Sequence, residues 1–341
     1  DEAASCAGPF CGGAAKQSSV SAHADPSLRA RNAQPPYDDA IQTNKESNVF
    51  VIFGASGKVG RVSAASLRTA GHAVRAVVRN EAQGEQLARM GCEIVLADLL
   101  NPASVARAIE GADAVQILCP VPIGDAHPGG TMHRMIEIAA DALRANPPSH
   151  VLALSDYGAE LDHGTGITLL FHALEKQLQT AVQNLTLLRA AEHMQNWARV
   201  IPAALATGKL PSLHHPLAKR FPTVAAQDVG LLAAELLLGN SRGIVSIEGP
   251  RRVCALDVAR ALSEVSRREI SAHEVPRNEW PAMLLRAGLV ADHAQLIMDL
   301  YDKHNAGRID VEEGIGERRF GTTELSEVLA SMLPDAAAVA S

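Results

Sequence analysis

Apolar runs of strand length and stretches of helical period alternate along the chain from residue 48 to about residue 190. The runs stand at 49–53 (VFVIF), 74–78 (VRAVV), 93–97 (EIVLA), 114–118 (AVQIL), 150–154 (HVLAL) and 185–189 (LTLLR). Helical patterns lie between them, near 58–70, 81–91, 102–110, 131–145 and 167–183. Short strands rich in Val, Ile and Leu that alternate with helices predict a parallel sheet covered on both faces. Gly71, Gly91 and Gly111 each follow a helical stretch, where glycine ends a helix at low cost. The pattern predicts an α/β fold built on a doubly wound parallel sheet.

After residue 190 the rhythm loosens. A helix is expected near 192–206, followed by the Pro- and His-rich stretch LPSLHHPLAKRFPTV, a helix at 227–238 and a strand at 243–248 that returns to the sheet. From Arg251 the chain reads as mostly helical. Residues 1–47 show no sustained period and are rich in Ser, Ala, Gly, Asn and Gln, which predicts a disordered tail. The expected organisation is therefore the tail at 1–47, a sheet domain at 48–190 with 225–250 returning to it, and a smaller, mainly helical C-terminal cap. That cap is formed by 191–224 and 251–335 and lies over the C-terminal ends of the strands.

Composition sharpens this picture in three places. Apolar residues make up 47% of the chain but aromatics only 3%, so alanine, valine and leucine must build the core. A net charge of −7 argues against nucleic acid as a direct partner, because phosphate binding needs a concentrated basic face. The five cysteines (6, 11, 92, 119 and 254) are scattered and odd in number, which reads as a reducing compartment. No uninterrupted apolar run reaches the roughly 18 residues of a membrane span, and no signal-peptide pattern opens the chain. The expectation is a cytoplasmic protein that has no membrane partner and is free to form a homodimer.

Three glycines, Gly54, Gly57 and Gly60, sit where the first strand gives way to the first helix. Gly54 suits the positive φ of a tight strand-to-helix turn, and Gly57 removes a side chain where the backbone must approach an anion. Gly60 lets the helix press against the strand, and the helix N-terminus then faces the anion. The spacing is GxxGxxG, not the GxGxxG of the standard dinucleotide fingerprint. Its position between a first strand and a helix, with a second strand following, points to a Rossmann-type dinucleotide site.

At the tip of the second strand, where an acid would bond a ribose 2′-hydroxyl, this chain has Arg79. A guanidinium there suits a 2′-phosphate, and Lys58 adds a second positive charge, so NADP(H) is favoured over NAD(H). The competing reading makes Arg79 a solvated charge and gives the ribose to Glu81. Asp98, after the third strand, and Cys119 with Pro120, after the fourth, fall where the adenine and ribose walls belong.

VFVIFGASGKVG, VRAVVRN, ADLLNPASVARAIEGADAVQIL, VLALSDYGAE and HALEKQLQTAVQNLTLLRAAEHMQNW together resemble the NmrA-like family of atypical short-chain dehydrogenase/reductases. That family includes NADPH-dependent quinone and triphenylmethane reductases as well as redox-sensing regulators that bind NADP. The resemblance runs from about Val49 to Met332. It implies that Gly54, Ser56, Gly57, Lys58, Val59 and Gly60 line the diphosphate and that Arg79 meets the 2′-phosphate. It further implies that Asp98 and Leu99 flank adenine, that Cys119 and Pro120 approach the ribose or nicotinamide, and that the segment from Ser155 to Gly158 borders the nicotinamide. Where the family commonly shows proline and an aromatic, this chain has Ala190 and His193.

Ordinary short-chain dehydrogenases use Tyr-x-x-x-Lys, in which lysine lowers the tyrosine pKa. Here Tyr37, Tyr157 and Tyr301 are followed four residues later by Ile41, Leu161 and Asn305, so the motif is absent. Hydride transfer to a quinone-like or other conjugated acceptor fits that absence, because the protein then supplies orientation and a dry pocket. Tyr157, His172 and His193 are the candidate hydrogen-bonding or proton-donating groups. The alternative is a non-catalytic NADP(H) sensor that binds a protein partner; isomerase or epimerase chemistry is disfavoured by the missing pair. His133 and Glu137, four apart on one helix, read as a surface pair rather than as metal ligands. The HHP at 214–216 reads as loop, and Trp280 as the anchor of the helix it starts. Ser155 lacks nucleophile-elbow glycines, which argues against hydrolase chemistry.

Overall fold

The computed structural model describes residues 48–333; the tail expected over 1–47 lies outside the described residues. The sheet domain runs β1 (Val49–Phe53), α1 (Lys58–Thr69), β2 (Ala73–Val78), α2 (Glu81–Arg89), β3 (Glu93–Leu96), α3 (Pro102–Ile109), β4 (Ala114–Ile117), α4 (Pro128–Ala145), β5 (His150–Asp156), α5 (Ile167–Ala181) and β6 (Leu185–Ala190). Beyond it come β7 (Glu192–His193), a 3-10 turn (Met194–Arg199), α6 (Ile201–Thr207), β8 (Lys209–Ser212), β9 (Thr223–Val224), α7 (Ala226–Leu237), β10 (Gly243–Glu248) and α8 (Ala255–Ser266). The described chain ends with β11 (Ser271–Glu274), α9 (Trp280–Arg286), α10 (Ala291–Asn305), β12 (Glu317–Phe320) and α11 (Leu325–Ser331). No helix among the described residues is long and apolar enough to cross a membrane.

The main sheet has eight strands in the order β12-β10-β6-β5-β4-β1-β2-β3, and every pairing in it is parallel. This is the doubly wound layout that the alternation predicts, with the strand order reversing direction at β1 and β4. Consecutive residues of one strand serve opposite faces. In β1, Phe50 and Ile52 enter the core under α1, α2 and α7, while Val51 and Phe53 enter the core under α3, α4 and α5. Both faces being covered, the strands read as continuous apolar runs rather than alternating ones.

Beyond β6 one expectation fails, and the mainly helical stretch from Arg251 proves to carry two short strands as well. The helix expected over 192–206 is broken into β7, the 3-10 turn and α6. Pro202 brings no N–H to a helical ladder and can sit only in a first turn, which is where α6 places it. The stretch from Arg251 is not simply a helical cap either. β11 pairs with β8 in a small parallel sheet, and β12 adds an eighth strand to the main sheet beside β10. Trp280 is fully buried, donates from Nε1 to the Val275 carbonyl at 2.8 Å and carries the Arg277 guanidinium 4.7 Å from its ring centre.

One buried cation ties the sheet to its covering helices. Arg189 in β6 grips Glu175 of α5 through Nε at 2.8 Å and Nη2 at 2.6 Å, and its Nη1 reaches Glu312 at 2.5 Å and Glu160 at 3.2 Å. Ser155 at the end of β5 donates to the same Glu175 at 2.6 Å. Removing one partner of such a buried pair costs far more than replacing both. Arg189→Met is therefore expected to lower unfolding stability by about 3–5 kcal/mol in urea titration. The double variant Arg189→Met/Glu175→Leu is expected to recover part of that loss; equal losses in the two would show that the pair carries no coupling.

Candidate functional site

The corner between β1 and α1 is bare backbone. Gly54 has a φ of +69°, and its carbonyl accepts the Gly57 N–H at 2.9 Å. Gly57 caps α1 in extended geometry with no side-chain hydrogen bond, so the first N–H groups of the helix are left for an outside acceptor. A methyl group on Gly60 would run into the Gly54 carbonyl and lie 2.9 Å from Ala55 Cα, and one on Gly57 would crowd the Gly54 oxygen at 3.1 Å. A diphosphate fits this cradle: unpaired backbone donors, the positive end of a twelve-residue helix and no side chain in the way. Ser56 and Lys58 stand at its rim, half-buried and exposed.

The other expected cofactor residues lie along the same row of strand ends, with different surroundings. Arg79 directly follows β2 and is exposed, and no acidic group lies within ion-pairing range of it among the described residues. Asp98, after β3, accepts the Leu100 N–H at 2.9 Å, and Leu99 packs against the core under α3 and α4. Cys119 departs from expectation. Its side chain is fully buried in that same core, where burial pushes the thiol up to about 12, and it does not line the cavity at these strand ends. Pro120 is exposed, and Leu118 takes the place of Cys119 as the residue that lines the cavity after β4.

That cavity has a volume of about 830 Å³ and lies across the C-terminal ends of β4, β5 and β6. Val59 in the first turn of α1 forms part of its wall, which continues the cradle into it. Leu118, Leu154 and Phe171 supply apolar walls from the sheet domain, and Trp197, Met283 and Leu289 supply them from the cap. Ser155 lines it as well, with its hydroxyl turned to Glu175.

Of the three candidate proton-handling residues, only His193 lines this cavity. Burial, helped by the charge of Lys58, brings its imidazole down to about 4. Tyr157 points away into the core under α1 and α7, where its hydroxyl is buried without a partner and burial raises its pKa. His172 turns its Nδ1 to the Ala159 carbonyl at 2.8 Å and does not line the cavity. His133 likewise bonds the Gly129 carbonyl at 2.8 Å on its own helix. Among the described residues no group of His, Cys, Asp and Glu could hold a metal ion.

Two polar devices in the cavity are not singled out as acids or bases by the sequence, although Asp156 lies in the segment from Ser155 to Gly158 that was expected to border the nicotinamide. The first is Asp156, the last residue of β5, whose Oδ2 accepts the Thr168 hydroxyl at 2.9 Å. It has no cationic partner among the described residues, and burial, with the charge of Glu192 adding to it, pushes its carboxyl up to about 7. The second joins Glu192, His214 and Tyr301. His214 Nε2 lies 2.9 Å from one Glu192 oxygen, and the Tyr301 hydroxyl donates to the other at 2.8 Å. Burial alone would raise Glu192, but His214 and these hydrogen bonds outweigh it and bring the carboxyl down to about 2. His214, expected only as loop, is buried and stacked on Phe221 with ring centres 3.5 Å apart. Tyr301 is raised by burial and by the adjacent Glu192, the opposite of what a neighbouring lysine does to a catalytic tyrosine.

A family model for NAD(P)H-binding domains matches residues 54–238. NAD(P)H azoreductase of Xenophilus azovorans is 22% identical over 256 residues, covering 74% of this chain and 86% of that protein. Quinone oxidoreductase 2 of Escherichia coli strain K12 is 23% identical over 255 residues, with the same coverage of each chain. Among solved structures, triphenylmethane reductase from Citrobacter sp. superposes with a TM-score of 0.70 at 21% identity, over 84% of this chain and 99% of that one. That last likeness is one of fold. The family match spans more than half of the chain, so the protein belongs to the NAD(P)H-binding family.

Proposed function

We propose that the protein is an NADP(H)-dependent oxidoreductase that passes a hydride to a quinone-like or otherwise conjugated acceptor. The observation that carries this reading is the cavity: it is continuous with the glycine cradle, walled by apolar side chains, and furnished with the Asp156 carboxyl. The names of the azoreductase, quinone oxidoreductase and triphenylmethane reductase point the same way. The turn from Gly54 to Gly60 would hold the diphosphate, with Arg79 and Lys58 toward the 2′-phosphate end. Bound there, the cofactor supplies the hydride.

What this chain adds is position, dryness and a proton. Leu118, Leu154, Phe171 and Trp197 exclude water around a flat acceptor. Asp156, whose raised pKa keeps part of it protonated near neutrality, would give its proton to the acceptor oxygen when the conjugated system takes the hydride, and would be reprotonated from solvent. A quinone that gains one hydride and one proton becomes the hydroquinone, so the step balances. An acid placed inside the cavity favours turnover over a purely sensing role.

Purified protein incubated with NADPH and a panel of quinones, azo dyes and triphenylmethane dyes is expected to oxidise the cofactor, followed by its absorbance. Tight cofactor binding with no turnover of any acceptor would instead support the sensor. Arg79→Asp is expected to weaken NADPH more than tenfold in titration calorimetry, about 1.4 kcal/mol, and to narrow the gap to NADH; equal losses for both cofactors would show that this side chain does not read the phosphate. The acid form of Asp156 is the working form, so turnover is expected to hold below about pH 7 and to fall as pH rises through it. Asp156→Asn keeps the acceptor for Thr168 but has no proton to give. It is expected to lower kcat by roughly 10²-fold and to abolish that pH limb; an unchanged profile would remove Asp156 from the reaction.

A further inference from the structure

The cavity holds several ionisable side chains, and nearly all of them are accounted for within it. Both oxygens of Glu192 are taken, by His214 and by Tyr301. His193 and His304, each brought down to about 4 first of all by burial, are uncharged near neutrality. Asp156 has Thr168 as its hydrogen-bond partner and sits near its midpoint. The exception is Arg199, which closes the 3-10 turn and lines the cavity with no carboxylate in ion-pairing range among the described residues.

The turn that carries Arg199 is anchored rather than loose. A three-residue repeat puts Met194 and Trp197 together on the buried side, packed with Ile201 and Phe221, and leaves Arg199 to the other side. Arg199 is close enough to Lys58, His293 and Tyr301 for its charge to act on each of them. His293 lies on the same side of the cavity. It is 4% exposed, lines the same cavity, and its buried Nδ1 has no hydrogen-bond partner. An exposed guanidinium that has no carboxylate partner among the described residues and faces the cavity together with an imidazole is suited to an anionic group of a bound molecule.

We infer that the acceptor taken by this cavity carries an acidic group, a carboxylate or sulfonate attached to the conjugated system, and that Arg199 with His293 binds it. The inference rests on the reading of the cavity as the acceptor site. The apolar walls hold the ring system, and the acid group lies toward Arg199 and His293 at the cap. The same charge could instead reach the diphosphate of the cofactor through the side of Lys58, and the experiment must separate the two sources.

The probes are a naphthoquinone sulfonate and its uncharged parent naphthoquinone, with Trp197 in the cavity wall reporting binding by fluorescence quenching in the absence of cofactor. Wild type is expected to bind the sulfonate at least tenfold more tightly than the parent. Arg199→Met is expected to erase that preference, to leave the parent and NADPH within twofold, and to raise KM for the sulfonate without changing kcat for the parent. Arg199→Lys is expected to keep part of the preference, since the charge remains and the fork is lost. If Arg199→Met weakens both quinones alike, or weakens NADPH alone, the acid-group site is wrong while the oxidoreductase reading stands. If wild type neither binds nor reduces either quinone, both readings fall.

Discussion

Helix α1 is held closer to its surroundings than any side chain would allow, and the cofactor cradle depends on that closeness. On one side a Cβ at Gly60 would collide with the Gly54 carbonyl; on the other, a Cβ at Gly230 of α7 would sit 2.6 Å from Val62 Cβ and 2.7 Å from the Val59 carbonyl. Ser63 stitches the contact, its hydroxyl within 3.3 Å of the Val59 carbonyl and 3.2 Å of the Gly230 carbonyl. A helix pinned on both sides cannot slide along its axis, so its first N–H groups stay fixed over the end of β1. Anion binding by backbone donors tolerates displacements of only about half an ångström, and the two glycines keep the helix within that tolerance.

The opposite wall of the cavity is fixed by an ion cluster rather than by close packing. Glu192 leaves the sheet just after β6, His214 comes from the loop after β8, and Tyr301 from α10, so one carboxylate joins three segments far apart in sequence. Burying such a group carries a desolvation cost, and its return is in specifying one arrangement of the cap. With its carboxyl held near 2, Glu192 is depressed below its unfolded value. Its charge-linked contribution to stability is present above the ordinary carboxylate pKa and is lost only as pH falls toward 2.

The sheet was legible in the sequence because both of its faces are buried, which leaves strands such as VFVIF with no polar position to confuse the period. The glycine corner was legible for a related reason: steric exclusion leaves a residue-type signature. β12 was not legible. Its sequence ERRF is that of an edge strand whose charges meet Glu235 and Glu248 across its faces, with Phe320 exposed, so no apolar run marks it. Asp156 and the Glu192 cluster were hidden for another reason: the carboxyl of Asp156 owes its properties to burial, and Glu192 owes its own to residues 22 and 109 positions away. Cys119 was misread because position after a strand does not say which face the side chain takes. The signal that could have found Asp156 is its place as the first polar group beyond the Ser at the end of an otherwise apolar strand.

A tyrosine acts as a general acid near neutrality only when a cation lowers its pKa, and in this cavity Tyr301 has an anion instead. A carboxylic acid faces the reverse problem, since water and cations would keep it ionised; Asp156 escapes both by sitting in a half-buried place without a cation. The same exclusion of water that raises Asp156 also favours hydride transfer over side reactions, so under the proposed function one physical property of the site sets both steps. That property is made jointly by the sheet domain, through Leu118, Leu154 and Phe171, and by the cap, through Trp197, Met283 and Leu289. Side chains contributed by the cap can therefore alter the shape and dryness of the cavity, and with them the acid strength of Asp156, without touching the glycine cradle.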